Sequence, residues 1–193
     1  MTSNRNNRTD EDAVLDAARD CVLAVGVRRT TLTDIARRAG VSRMTLYRRW
    51  PDVRTIVADL MTREWTALPV EMPAGADART RLVAALVDGV ATFRAHPLLR
   101  KILEVDPELL LPYVLDRLGA TQRRFLELFE AAIRAGHDDG SIRPGDAARQ
   151  ARALLLVVQS FALSGPAATR DAELPADGLD DELRRVLDGA LAP

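Results

Sequence analysis

The sequence predicts an all-α protein of about nine helices, arranged as an N-terminal three-helix domain followed by a larger helical bundle. Composition is the first indication, because the 193-residue chain contains 30 Ala and 27 Leu but only 16 Val and 5 Ile. Helix-forming side chains therefore outnumber the β-branched ones that favour strands. Periodicity is the second, because apolar residues recur at steps of three and four, which is the spacing of one helix face.

Composition also excludes several classes of protein. Cys21 is the single cysteine, so we expect neither a disulfide framework nor a cysteine-based zinc site. No apolar run approaches the ~20 residues that cross a bilayer, and the polar N-terminus lacks the apolar stretch of a secretory signal. We therefore expect a cytoplasmic protein without membrane spans.

The first helix is predicted over residues 10–25. Thr9 and Asp12 have the spacing of a capping box, in which each side chain accepts a hydrogen bond from an otherwise unpaired backbone N–H. Gly26 is predicted to end the helix, because glycine readily adopts the left-handed conformation found after a last helical turn.

Two short helices follow in close succession. Thr31 is the predicted N-cap of a helix over residues 32–39, and Gly40 is its stop. Ser42 is the predicted N-cap of the next helix, over residues 43–49. Only Val41 and Ser42 lie between Gly40 and the second short helix, so the sequence predicts a tight turn between the two helices.

A fourth helix is predicted to begin after Asp52 and to reach about residue 67. Residues 69–75 contain two prolines and a glycine and are the predicted linker. We divide the chain functionally into an N-terminal domain over residues 1–56 and a larger domain over residues 57–193.

Prolines and glycines divide the larger domain. Pro97 and Pro107 are predicted to open helices, and Pro112 is predicted to break or kink the second of these. Further helices are predicted over residues 76–95, 122–135, 144–163 and 179–191, with loops at 136–145 and 164–178.

Charge is unevenly distributed along a chain whose formal net charge is −1. Residues 1–56 hold 11 arginines against 7 acidic residues, whereas residues 57–193 hold 16 basic and 21 acidic residues. The excess is concentrated in residues 28–54, where 8 arginines face only Asp34 and Asp52. A basic patch confined to one end indicates contact with nucleic acid, although a solvated arginine surface is the alternative.

The pair of short helices with a glycine turn has the pattern of a helix-turn-helix. Val41 and Leu46 are predicted to fill the junction, so that the second short helix stands away from the first and its outer face stays free. A helix of this size fits the major groove of B-DNA.

This region resembles the TetR family of one-component bacterial transcriptional repressors. The resemblance is strongest over residues 10–60. It rests on Thr-Leu-Thr-Asp-Ile-Ala-Arg-Arg-Ala-Gly-Val-Ser from position 31, on Thr-Leu-Tyr from position 45 and on Trp50-Pro51. The remainder of the chain matches only in layout, as a larger all-helical domain whose last two helices dimerise.

The resemblance implies a set of DNA-contacting residues. Arg43, Met44 and Thr45 occupy base-reading positions, and Tyr47 corresponds to a tyrosine whose hydroxyl binds phosphate. Val53 stands where the family commonly has a phosphate-binding lysine, and the neighbouring Arg54 lies about 100° away around the helix. The full implied set is Thr31, Thr33, Ser42, Arg43, Met44, Thr45, Tyr47, Arg48, Arg49 and Arg54.

For the larger domain the resemblance implies an unknown small-molecule effector and a homodimer. We expect the dimer surface on residues 144–164 and 179–191; the alternative is that the apolar residues there form a core. Trp65 is expected to transmit a conformational change from the effector pocket to the DNA-binding domain. The candidate pocket residues are Trp65, Phe93, Leu103, Tyr113, Phe125, Phe129, Gln159 and Phe161. The alternative for these is a core of aromatic side chains with one hydrogen-bonded amide.

The sequence therefore predicts a ligand-responsive repressor that binds a pseudopalindromic operator as a homodimer. An activator of the same fold, or a helical small-molecule-binding protein with a non-functional DNA-binding domain, are the alternatives. We expect no enzyme, cofactor or metal site, because the only histidines are His96, expected to act as a cap, and His137, expected in a turn.

Overall fold

The computed structural model describes residues 3–67, 76–170 and 176–193, and all regular structure in those ranges is helical. The predicted all-α fold is confirmed. The described elements are α1 (Ser3–Val25), α2 (Leu32–Ala39), α3 (Arg43–Arg49), α4 (Val53–Thr66), α5 (Ala78–Ala95), α6 (Pro97–Val105), a 3₁₀ helix (Pro107–Leu109), α7 (Leu111–Leu115), α8 (Ala120–Asp138), α9 (Ala147–Arg170) and α10 (Ala176–Leu191). The predicted linker over residues 69–75 lies outside the described residues.

The caps predicted for α2, α3 and α4 are confirmed. Thr31, Ser42 and Asp52 each accept a hydrogen bond from the backbone N–H three residues later, at 3.1, 3.1 and 2.8 Å. Gly40 has a φ of 69°, the left-handed conformation that a side chain would resist. Short polar side chains and one glycine therefore set the boundaries of these helices.

The predicted start of α1 is wrong. The helix begins at Ser3, so Thr9 lies inside it rather than before its first turn. No proline or glycine occurs between residues 3 and 12 to stop the helix, and a capping pattern is effective only where the preceding turn is not helical.

The predicted ends of α8 and α9 are also wrong. Helix α8 continues to Asp138. Helix α9 begins at Ala147, after Asp146 rather than at Pro144, and extends through Pro166 to Arg170. Gly165 is buried, and a Cβ there would lie 3.2 Å from a methyl carbon of Leu179, so α9 packs closely against α10 where the sequence predicts a loop. Packing against the neighbouring helix outweighs the low helix propensity of glycine and proline.

The break predicted at Pro112 is confirmed. The chain forms a 3₁₀ helix over Pro107–Leu109 and a separate short helix over Leu111–Leu115. Proline lacks the N–H that a continuous helix would need at this position, and its ring crowds the preceding turn.

The chain forms two compact units. The first comprises Met1–Ala67 and His96–Arg117, and its core includes Ile35, Leu60 and Ile102, which are fully buried. The functional boundary predicted at residues 56 and 57 lies within α4 and stays a prediction.

The second unit comprises Leu68–Ala95 and Leu118–Pro193. Its core is built from buried side chains of α5, α8, α9 and α10. Among the described residues, α9 is long and apolar enough to cross a membrane by length and composition alone, contrary to the sequence expectation. The sequence expectation missed this length because it ends the helix at residue 163, whereas α9 continues to Arg170. Leu154, Leu155 and Val158 of α9 are buried in this core, which is typical of the central helix of a bundle.

Candidate nucleic-acid interface

Helix α3 is held by one buried side chain. Leu46 is only 1% exposed, and Ile35 and Ala36 of α2 are buried with it in the core of the first unit. Val41 is half-buried in the turn. Because α3 has seven residues and buries a single one, nearly its whole remaining surface faces solvent.

The predicted reading residues lie on this exposed surface. Met44 is 81% exposed and Tyr47 is 51% exposed, and Arg43, Thr45 and Arg48 are exposed as well. Met44 and Tyr47 thus add an exposed apolar contribution to this face of α3. The face is therefore accessible to a duplex, as the sequence predicts.

Two arginines of α3 are available for a partner. Within the side chains that the structure describes (residues 11–67, 76–170 and 178–193), Arg43 and Arg48 form no ion pair and no hydrogen bond. Helix α3 contains no acidic residue that could neutralise them. Uncompensated guanidinium groups on an exposed helix favour binding to a polyanion.

Arg49 differs from these two arginines. Its guanidinium pairs with Glu11 of α1 and lies 5.1 Å from the centre of the Trp50 ring. Trp50 is buried and donates a hydrogen bond from Nε1 to Asp59 at 2.8 Å. Arg49 therefore helps to fix the end of α3, and a contact with DNA phosphate would require it to leave Glu11.

The predicted threonine and serine contacts lie at the helix starts. The Thr31 hydroxyl donates to Oδ2 of Asp34 at 2.6 Å, and the Ser42 and Thr45 hydroxyl oxygens lie 2.9 Å apart. Thr33 is half-buried, whereas Thr31 and Ser42 are exposed. Thr31 and Ser42 therefore cap α2 and α3, whereas Thr33 lies inside α2.

An open groove of about 580 Å³ lies where α4 begins. It contains the exposed Arg54 and the half-buried Val53, together with Arg28 and Glu108. The pKa of Asp52, at the rim, is lowered because its carboxylate accepts a hydrogen bond from the backbone N–H of Thr55. Asp52 therefore stays ionised and caps α4.

Sequence reasoning missed the acidic residues that contact the α1–α2 turn. Asp106 is fully buried and accepts hydrogen bonds from the backbone N–H groups of Val27, at 2.7 Å, and Arg28, at 3.4 Å. Glu108 accepts a hydrogen bond from Nε of Arg28 at 2.8 Å. The partners are about eighty residues apart in the chain, so no local pattern could have found them.

The candidate pocket residues are divided between the two units. Trp65, Leu103 and Tyr113 belong to the first unit. Phe93, Phe125, Phe129, Gln159 and Phe161 belong to the second.

Within the second unit, two of the candidates form a stack and a third has a polar partner. Phe125 and Phe129 stack with their ring centres 6.1 Å apart. Gln122 donates a hydrogen bond to the amide oxygen of Gln159 at 2.5 Å. That amide oxygen is therefore already satisfied by the protein, as expected for a core amide.

His96 occupies the predicted N-cap position of α6 but does not cap through its side chain, and His137 does not lie in the predicted turn. His96 precedes α6, but its side chain makes no capping hydrogen bond, and its Nε2 lies 3.5 Å from Glu64. Burial lowers the pKa of His96, and Glu64 opposes that shift. His137 lies within α8 rather than in a turn, and its Nε2 is 2.9 Å from the amide oxygen of Gln150. No group of three potential metal-ligating side chains occurs among the described residues.

Comparison with known proteins identifies the family. The family described as "Bacterial regulatory proteins, tetR family" matches residues 14–60. An uncharacterised HTH-type transcriptional regulator of Mycobacterium bovis is 39% identical over 192 residues, covering 99% of this chain and all of the relative. This chain belongs to the TetR family. It is a DNA-binding transcriptional regulator of the helix-turn-helix type.

Solved structures share the fold of this TetR-family chain along most of its length. The match to SmeT in complex with triclosan covers 96% of this chain and 92% of the SmeT chain, with a TM-score of 0.63 and 23% identity. NalD is the secondary repressor of the MexAB-OprM multidrug efflux pump in Pseudomonas aeruginosa. The match to NalD covers 96% of this chain and 97% of the NalD chain, with a TM-score of 0.59 and 23% identity.

Proposed function

We propose that this TetR-family regulator is a ligand-responsive repressor that binds a pseudopalindromic operator as a homodimer. The observation that carries the proposal is the exposed face of α3, on which Arg43 and Arg48 have no acidic partner among the described side chains. One short helix reads only a few base pairs, so two copies related by a two-fold axis are needed for a specific site. We assign DNA binding to residues 1–56 and effector binding and dimerisation to residues 57–193.

Within the first domain, the predicted contacts have separate roles. Arg43, Met44 and Thr45 read base edges in the major groove, and Arg43 is suited to bidentate binding of guanine. Tyr47 binds backbone phosphate through its hydroxyl group. The further backbone contacts are Thr31, Thr33, Ser42, Arg48, Arg49 and Arg54.

The proposed dimer surface is formed by α9 and α10. Leu156 of α9 is 67% exposed and Val186 of α10 is 46% exposed, so each helix carries a large apolar side chain that a second subunit could cover. Leu156→Asp and Val186→Asp are expected to shift the protein from dimer to monomer in light scattering. Leu128→Asp on α8 is the matched control, because Leu128 is also an exposed leucine but lies outside the proposed surface. A control variant that dissociates equally would contradict the assignment.

A small-molecule effector is supported by the neighbours of the same fold. SmeT has been solved with triclosan bound, and NalD is a repressor of an efflux pump. We propose that an effector of this chain binds within the second unit, among Phe93, Phe125, Phe129, Gln159 and Phe161. The assignments of Trp65, Leu103 and Tyr113, which belong to the first unit, stay predictions. Binding must favour a conformation with lower DNA affinity, since a ligand shifts an equilibrium only through differential affinity. The proposed role is regulatory and not enzymatic, and it is exercised in the cytoplasm.

The proposal is tested with purified protein and the DNA upstream of its own gene. We expect a gel shift whose affinity falls steeply with salt, because each neutralised phosphate releases counterions. Transcription from that fragment should fall when the protein is added. A rise would indicate an activator, and no shift at low ionic strength would favour a small-molecule-binding protein with a non-functional DNA-binding domain.

A further inference from the structure

The groove at the start of α4 contains two arginines and an acid that competes for them. Arg28 precedes the N-cap of α2 by three residues, and Arg54 is the second residue of α4. Arg28 therefore lies in the turn that leads into α2, and Arg54 lies in the first turn of α4, the helix that follows α3 in the chain. Both residues line the same open groove with Glu108.

Glu108 holds Arg28 through an exposed contact. Its Oε1 lies 2.7 Å from one terminal nitrogen of Arg28, whose side chain is 70% exposed, and the Glu108 side chain is 37% exposed. A hydrogen bond from its own backbone N–H lowers the pKa of Glu108, and the Arg28 hydrogen bond and the charge of Arg54 lower it further. Glu108 is therefore negatively charged at neutral pH and offsets the charge of both arginines.

The neighbouring acid has a different role. Asp106 is fully buried and holds the α1–α2 turn through the backbone N–H groups of Val27 and Arg28, and its Oδ1 also lies 3.5 Å from Nε of the Arg28 side chain. Gly26 in this turn has a φ of 81°, and a Cβ there would lie 2.9 Å from Asp106 Oδ2, so the two segments are in close contact. Because Asp106 anchors the turn, Glu108 can release Arg28 without detaching it.

We propose that Arg28 and Arg54 form a second DNA-phosphate site beside α3, and that Glu108 is an internal competitor that lowers its affinity. The inference rests on the proposed function, because the ligand is the backbone of the same duplex. Arginine is well suited to phosphate, since its planar fork binds two oxygens at once. An exposed ion pair is weak, so phosphate displaces Glu108 from Arg28 at little cost.

The competition predicts tighter DNA binding when the acid is removed. Glu108→Gln is expected to strengthen binding about twofold to fivefold per subunit near 0.1 M salt, the worth of one exposed ion pair. The plot of log affinity against log salt should steepen by about 0.9 per phosphate newly neutralised. The increase in affinity should appear on a duplex selected by the wild-type protein and on an unrelated duplex of the same length, because phosphate contacts read no sequence.

Two comparisons assign the increase in affinity to this groove. In an Arg28→Ala/Arg54→Ala background, Glu108→Gln should give no increase, since the released cations are gone. Asp20→Asn is the matched control, because it removes an exposed carboxylate that pairs with Arg38 at 3.1 Å in the same unit, outside the groove. Glu108→Ala should behave as Glu108→Gln does, and thermal melts of all variants check that each one folds.

Three results would overturn the inference: no increase in affinity from either Glu108 variant, an increase that persists without both arginines, or an equal increase from Asp20→Asn. The proposed function is judged separately. If wild-type protein binds its selected duplex and loses base preference with Arg43→Ala, while the Glu108 variants change nothing, only the competition is refuted. If wild-type protein binds no duplex at low salt, the proposed function fails.

Discussion

Helices α3 and α6 belong to the same compact unit but have opposite roles in it. Helix α6 buries Leu98, Leu99 and Ile102 completely, and both of its ends are tied to other elements. His96 at its start lies beside Glu64 of α4, and Asp106 at its end holds the α1–α2 turn.

Helix α3 buries only Leu46 and exposes the remaining side chains. Its last arginine pairs with Glu11, whereas Arg43 and Arg48 have no acidic partner among the described side chains. Helix α6 therefore contributes to the stability of the unit through buried side chains, whereas α3 is anchored by Leu46 and presents a positively charged face to solvent.

The largest expected effect concerns stability. Leu99→Ala in α6 should lower the free energy of unfolding by about 2–5 kcal/mol, because a fully buried leucine is replaced by a cavity. Met44→Ala in α3 should change it by less than about 0.5 kcal/mol, because that side chain is exposed. Urea unfolding of both variants measures the contrast. Similar decreases from the two substitutions would show that α3 contributes to the core as α6 does.

A second prediction divides the exposed face of α3 into base-reading and phosphate-binding parts. Arg43→Ala should reduce discrimination between the selected duplex and a scrambled one by about 1–3 kcal/mol, the worth of one bidentate base contact. Tyr47→Phe should weaken binding to both duplexes alike, since it removes a phosphate contact. Fluorescence titrations on the two duplexes separate these outcomes. An equal loss of discrimination from both variants would contradict the assignment.

The smallest expected effect lies at the start of α6. Burial lowers the pKa of His96 below its ordinary value near 6.5 despite the nearby Glu64, so the folded state favours the neutral ring. The stability that depends on a neutral His96 ring is therefore fully present above about pH 6.5. It is lost as the pH falls through the folded-state pKa, because the unfolded chain binds the proton more readily. His96→Gln should therefore lose less stability than wild type between about pH 7.5 and 5.5, measured by urea unfolding. Parallel decreases would rule out His96 as the source.

The sequence predicts best where structure is determined locally. Thr31, Ser42 and Asp52 cap helices as their positions predict, and Gly40 makes the left-handed turn. Each of these outcomes depends on a side chain and the backbone within three or four residues of it. The exposed face of α3 follows from the same local signals. They fix the ends of this short helix, and because Leu46 is its one buried residue, the opposite side faces solvent.

Prediction fails where distant segments decide the outcome. The passage of α9 through Pro166 depends on close packing of Gly165 against Leu179 of the next helix. The contacts of Asp106 and Glu108 with the α1–α2 turn join residues about eighty positions apart. A single sequence contains the residue types for these contacts but does not show which residues pair in space. The groove lined by Arg28, Arg54 and Glu108 therefore appears only in the structure.

If the exposed face of α3 binds duplex DNA, a salt titration of binding should detect the loss of Arg43 and Arg48. Arg43→Ala/Arg48→Ala is compared with Arg124→Ala/Arg134→Ala, which removes two exposed arginines of α8 that pair with Glu127 and Glu130. We expect the α3 variant to bind the selected duplex more weakly, with a slope of log affinity against log salt that is shallower by about 0.9 for each phosphate that the variant no longer neutralises. The α8 variant should match wild type. Wild-type affinity and slope in the α3 variant would contradict the account.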